Sequence, residues 1–92
     1  MTNLPPDLDI VRRRLSWRAM HRGIKEMDLI MGGFAETNLA NMNRADLELF
    51  AEILEIPDQQ LLSWVTSQES VPQQQKSKML DDILAFRPRL HP

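Results

Sequence analysis

The chain reads as an all-α protein, a compact five-helix and largely antiparallel bundle. Three observations predict it. Apolar residues recur at three- and four-residue spacings in five successive segments, the period of a helix with one buried face. Residues that start and stop helices separate those segments. No segment alternates apolar with polar residues as a half-buried strand does. A length of 92 residues predicts one domain over 1–92, ordered from about 7 to 87 with flexible termini.

Pro5-Pro6 ends a short lead, and Asp7 is placed to cap a first helix over about residues 7–21. Leu8, Val11, Leu15 and Ala19 share one stripe, while Ile10 and Trp17 fall on another face. Either that helix is buried on two sides or Trp17 is partly exposed. Gly23 breaks the chain, and a second helix runs from about 24 to 40 on Ile24, Met27, Ile30, Met31 and Phe34. Gly32-Gly33 interrupts it at roughly 1 kcal/mol per glycine against alanine. Because the apolar stripe keeps its phase across the pair, close packing of a neighbour is the expected reason, not a turn.

Asn43 and Asp46 form a capping-box pattern ahead of a third helix, about 44–55, with Leu47, Phe50, Ala51 and Leu54 inward. Pro57-Asp58 starts a fourth, about 58–68, carrying Leu61, Leu62, Trp64 and Val65. A fifth is expected over about 72–86 with Met79, Leu80, Ile83 and Leu84 inward, and Arg87-Pro88 ends it. With short loops, such helices pack as antiparallel neighbours.

Composition narrows the function. Without cysteine there is neither a disulfide nor a thiolate metal site. No apolar run nears the roughly 20 residues that span a bilayer, and the N-terminus resembles neither a secretory signal nor a transit peptide. The expectation is a complete cytoplasmic protein, monomeric when free. Net charge is −2, from 11 basic and 13 acidic residues, which gives no global pull towards nucleic acid. The charge is uneven along the chain: Arg12, Arg13, Arg14, Arg18 and Arg22 lie early, and Asp46, Glu48, Glu52, Glu55 and Asp58 later.

The catalytic inventory is thin. The histidines, His21 and His91, are far apart in sequence, and His91 sits in the expected tail. The serines lack a nucleophile-elbow context, Asp81-Asp82 suits a solvated helix face, and no metal-ligand spacing occurs. Neither a catalytic residue nor a bound metal or cofactor is expected. Arg12-Arg13-Arg14 fans through some 200° of a helix, which favours solvated arginines over a nucleic-acid stripe. Trp64 and the methionines Met27 and Met31 read as core. Met20 or Met42 could lie on a contact surface, and Trp17 suits binding as readily as core.

That leaves Arg22-Gly23-Ile24-Lys25-Glu26. On an unbroken helix Arg22 and Glu26 would be an i,i+4 pair worth about 0.2–0.5 kcal/mol. If Gly23 breaks the helix, Glu26 instead complements the dipole of the second. The functional reading gives Arg22 a planar fork for a partner, Gly23 room for close backbone approach, and Glu26 a polar contact.

The run from Arg14 to Leu29, with Arg22-Gly23-x-x-Glu26 after Arg14-Leu15-x-Trp17, resembles the signature of the succinate dehydrogenase flavinylation factors, also called succinate dehydrogenase assembly factor 2. The likeness continues through Gly33-Phe34-Ala35, Leu47, Phe50, Leu54, Asp58, Leu61 and Trp64-Val65, covering about residues 12–86. The resemblance implies an assembly factor and not an enzyme. Such a factor binds the flavoprotein subunit of succinate dehydrogenase, and in some bacteria fumarate reductase, and promotes covalent attachment of FAD there. The FAD is then the partner's cofactor. Carried over by position, Arg22, Gly23 and Glu26 are the partner-binding residues, with Asp28, His21 and Trp17 beside them. Many relatives carry basic residues where Met20 and His21 stand. Two other readings are a small regulatory DNA-binding or antitoxin-like protein using the arginine-rich helix, and a generic helical adaptor. Exposure of Arg22 and Glu26 separates a docking site from an internal ion pair.

Overall fold

Asp7 opens the first helix through its carboxylate, which accepts the N–H groups of Asp9 at 3.0 Å and Ile10 at 3.4 Å and so satisfies amides that have no intrahelical partner. The computed structural model describes residues 6–88; His91 and the outer parts of both expected tails lie outside them. Five α-helices follow in order: α1 (Leu8–Met20), α2 (Lys25–Asn38), α3 (Arg44–Leu54), α4 (Asp58–Val65) and α5 (Lys78–Ala85). Short 3₁₀ turns lie at Leu39–Asn41 and Gln73–Gln75. Among the described residues there is no strand.

The buried apolar residues come from all five helices and form one cluster. Phe50, Met27, Met31, Leu47, Leu61, Leu80 and Ile83 are its largest fully enclosed side chains. Helix α1 packs on α2 and α3, and α2 reaches both α4 and α5. The molecule measures 38 × 37 × 21 Å, so its thin dimension is about two helix diameters. Trp64 is in the core, whereas Trp17 is 62% exposed, which resolves the two-sided reading of α1. Met42 is buried, and Met20, at 41%, is exposed.

Three helix ends differ from the sequence expectation, each for a local reason. The expected second helix to residue 40 closes at Asn38 and tightens into the 3₁₀ turn Leu39–Asn41. There Arg12 of α1 donates to the carbonyls of Leu39 (3.0 Å) and Met42 (2.8 Å). One arginine of the triplet thus ties helices together, and its neighbours Arg13 and Arg14 are exposed.

Helix α4 ends at Val65, not near 68, because Ser67 adopts φ 60°. The N–H of Gln68 then donates to Ser63 O at 2.8 Å and that of Ser67 to Trp64 O at 3.2 Å, the paired bonds of a Schellman cap. Helix α5 begins at Lys78, not 72. The preceding Gln73-Gln74-Gln75-Lys76 is polar throughout and exposed, so it has no apolar face whose burial could offset the ordering entropy of a helix. Ser77 provides the start, its hydroxyl accepting the N–H of Leu80 at 3.1 Å.

The capping box of α3 is formed as the spacing predicts: Asp46 N–H to Asn43 Oδ1 at 2.9 Å and Asn43 N–H to Asp46 Oδ2 at 3.4 Å. The glycine pair also behaves as its phase predicts. Helix α2 runs unbroken through Gly32-Gly33, and both glycines admit neighbours. A Cβ at Gly32 would lie 3.0 Å from Met20 Cγ, and one at Gly33 would lie 2.7 Å from Phe86 Cε2.

Candidate functional site

The corner between α1 and α2 is built by residues that break one helix and begin another. After Met20, His21 leaves helical geometry (φ −126°, ψ 62°). Gly23 then takes φ 117°, a conformation in which an L side chain is strained. Ile24 stands at the N-cap of α2 in extended geometry with no side chain of its own to cap the helix. Asp28, in the first turn, instead holds the chain that leads into the helix. Its Oδ1 accepts the backbone N–H groups of Arg22 and of Gly23, the latter at 3.3 Å.

Beneath the corner lies the Arg22 guanidinium, its side chain only 9% exposed. Its Nε–H donates to Asp58 Oδ1 at 2.7 Å, and its two NH₂ groups donate to the carbonyls of Leu54 and Ile56, the latter at 2.6 Å. These carbonyls lie at and just beyond the C-terminal end of α3, the negative pole of its dipole, and Asp58 is the first residue of α4. Arg22 therefore joins the α1–α2 corner to the α3–α4 junction. A charged group this enclosed is tolerable because each of its three nitrogens has an acceptor. The i,i+4 pair with Glu26 is not formed: the acidic partner of Arg22 is Asp58, far along the chain.

The outer surface holds the remaining motif residues. Gly23 and Glu26 are exposed, and Glu26 sits in the first turn of α2, where its charge complements the helix dipole. Among the described residues its carboxylate has no hydrogen-bond or ion-pair partner. Trp17 and His21 extend this face, their rings stacked with centroids 4.1 Å apart and planes 15° from parallel. His21 Nδ1 lies 2.7 Å from Trp17 O. A carbonyl can only accept, so Nδ1 carries the proton and Nε2 is left for solvent or a partner. An open groove of about 290 Å³ at this corner is lined by Trp17, His21, Arg22, Glu55, Pro57 and Asp58.

The structure thus brings all six expected residues to one corner, and divides them. Trp17, His21, Gly23 and Glu26 are exposed, while Arg22 and Asp28 hold the corner from within. The fork of Arg22, read from sequence as a partner contact, faces internal acceptors. In the sequence Asp58 reads as the start of a helix after Pro57, which explains its presence without reference to Arg22. Its separation in the chain from Arg22 hid the pairing. Leu29, 42% exposed, is a further apolar surface residue that helical periodicity did not distinguish. A larger cavity, about 380 Å³, lies between α2, α3 and α5 near Phe34, Met42 and Met79, away from the motif. Among the described residues no cluster of histidine and carboxylate side chains is arranged for a metal, and no helix is long and apolar enough to cross a membrane.

Comparison with known proteins finds similarity over most of the chain. The family model described as flavinator of succinate dehydrogenase matches residues 13–87. The chain is 41% identical over 69 residues to the FAD assembly factor SdhE of Acetobacter pasteurianus, covering 75% of this chain and 63% of that protein. It is 40% identical over 65 residues to a mitochondrial succinate dehydrogenase assembly factor 2 of Saccharomyces cerevisiae, covering 71% of this chain and 39% of the relative. With the Dictyostelium discoideum protein of the same name, identity is 26% over 74 residues, 80% of this chain and 52% of the relative. The chain therefore spans between two-fifths and just under two-thirds of these relatives' lengths. A model match across most of the described helices, with the motif corner inside it, places the chain in the family of succinate dehydrogenase flavinators.

Proposed function

We propose that this chain is an assembly factor that binds the flavoprotein subunit of succinate dehydrogenase and promotes covalent attachment of FAD to it. The same corner would serve fumarate reductase flavoproteins where these are present. The observation that carries this reading is the exposed Gly23–Glu26 edge, held in fixed geometry by Asp28 and Arg22, within the segment matched to the family. Glycine presents backbone with no side chain over it, so a partner chain can approach closely. Glu26 offers an unpaired carboxylate to a donor opposite, and Trp17 an aromatic anchor of the kind that dominates interfaces. His21 adds a hydrogen-bonding edge. Arg22 and Asp28 belong to the docking site as its support.

Such a protein needs no nucleophile. A factor that binds one conformation of the flavoprotein more tightly than others raises the population of that conformation, and the flavin bond then forms within the partner. FAD is the partner's cofactor, and the factor is not itself an enzyme. The proposed location is the cytoplasm, where the flavoprotein would be met before it joins its membrane partners. The test is deletion of the gene followed by measurement of covalent flavin on the flavoprotein subunit. Loss of the protein-bound flavin is expected, and unchanged flavinylation would overturn the reading. Gly23→Arg should abolish co-purification with that subunit.

A further inference from the structure

We propose that Asp58, which lies outside the Arg-Gly-x-x-Glu motif, is the positioning residue of the docking corner, and that it acts on the partner surface through Arg22. The inference rests on the functional reading above. Two carboxylates hold the corner from beneath. Asp28 takes the backbone N–H groups of Arg22 and Gly23, and Asp58 Oδ1 takes the Arg22 Nε–H at 2.7 Å. The other oxygen of Asp58 lies 3.7 Å from where a Cβ of Gly23 would be, so the carboxylate that holds the guanidinium also lies on the side of the glycine where a side chain would point.

Both charged side chains are nearly enclosed, at 9% and 12% exposure. Three of the five N–H donors of Arg22 are taken up by Asp58 and two main-chain carbonyls, so its fork is directed inward in this conformation. Neutralising Asp58 leaves an enclosed cation with only carbonyl dipoles to face, and the guanidinium then gains by turning to water. That movement releases the backbone at Arg22-Gly23 and disperses the surface formed by Gly23, Glu26 and His21.

The experiment measures calorimetric binding of the full chain to the purified flavoprotein subunit of succinate dehydrogenase, at fixed salt. The variants are Asp58→Asn, Arg22→Lys and the double variant, with Ile83→Val in the α5 core as a stability control. Asp58→Asn should weaken binding about tenfold or more while keeping its helical circular dichroism. The double variant should bind within about twofold of the weaker single variant, since substitutions acting through one contact are not additive. Ile83→Val should leave affinity unchanged. Exchange of the Gly23 amide should accelerate in Asp58→Asn while α5 amides keep their protection.

Wild-type affinity in Asp58→Asn overturns the inference. So does full additivity, which would mean that Arg22 reaches the partner itself, or an equal loss in Ile83→Val. Should Asp58→Asn unfold, Asp58→Glu, which keeps the charge but displaces it by one methylene, carries the same comparison. A wild-type chain that does not bind overturns the functional reading and the docking role of Asp58 with it. Wild-type binding with an unaffected Asp58→Asn chain overturns this inference alone.

Discussion

The ring of Phe86 occupies the space that a side chain at Gly33 would fill, its Cε2 standing 2.7 Å from the position of a Gly33 Cβ. Phe86 also meets Phe34 edge-on, with centroids 6.1 Å apart, and so fastens the end of α5 to α2. Gly33→Ala should therefore destabilise the fold by about 1–2 kcal/mol. Its helix-propensity gain of about 1 kcal/mol is exceeded by the overpacking and the disturbed aromatic pair. Gly32→Ala should be near neutral, because its nearest neighbour is the Met20 side chain at 3.0 Å, flexible and partly exposed. Urea denaturation of the two variants should separate them, and equal effects would refute the packing argument.

Ser67 holds φ 60° at the position where Schellman caps usually carry glycine. Ser67→Gly should raise stability by about 0.5–1 kcal/mol, since the left-handed strain removed exceeds the added freedom of the unfolded chain. Thermal unfolding followed by circular dichroism would show an upward shift in Tm of several degrees; a fall would contradict it.

Removing one member of the enclosed Arg22–Asp58 pair should do far more than removing a surface ion pair. Asp58→Ala or Arg22→Ala is expected to lose about 3–5 kcal/mol, because the surviving charge is left without its counter-ion. Lys78→Ala, which breaks the exposed pair with Asp82, should change stability by less than about 1 kcal/mol. Chemical denaturation curves provide the comparison.

Glu26 offers the opposite test. It is exposed and unpaired among the described residues, so Glu26→Gln should leave folding stability within about 0.5 kcal/mol. Binding to the flavoprotein subunit should nevertheless fall about tenfold or more, as for a charged contact desolvated at an interface. Wild-type affinity in this variant would remove Glu26 from the docking surface.

Much of the architecture was legible because its signals are local. The stripe Val11-Leu15-Ala19, the Asn43/Asp46 box and the unbroken phase across Gly32-Gly33 each depend on residues within a few positions of one another, and each is present in the fold. The long forms expected for α4 and α5 fail where local options were close in energy. Gln73 to Lys76 can enter a helix by propensity, but without an apolar face the core gives them no reason to do so. Ser67 can end a helix only by taking a backbone angle that its side chain disfavours, which no composition rule signals.

Sequence alone determined that this protein is helical, that Asp7 and Asn43 cap the first and third helices, and that the corner around Gly23 merits attention. Periodicity and capping are near-neighbour physics and can be read along the chain. Only the tertiary structure decided what each motif residue does there. Burial is set by elements distant in sequence, and it is the approach of the α3–α4 junction that turns Arg22 inward onto Asp58 while Gly23 and Glu26 stay at the surface.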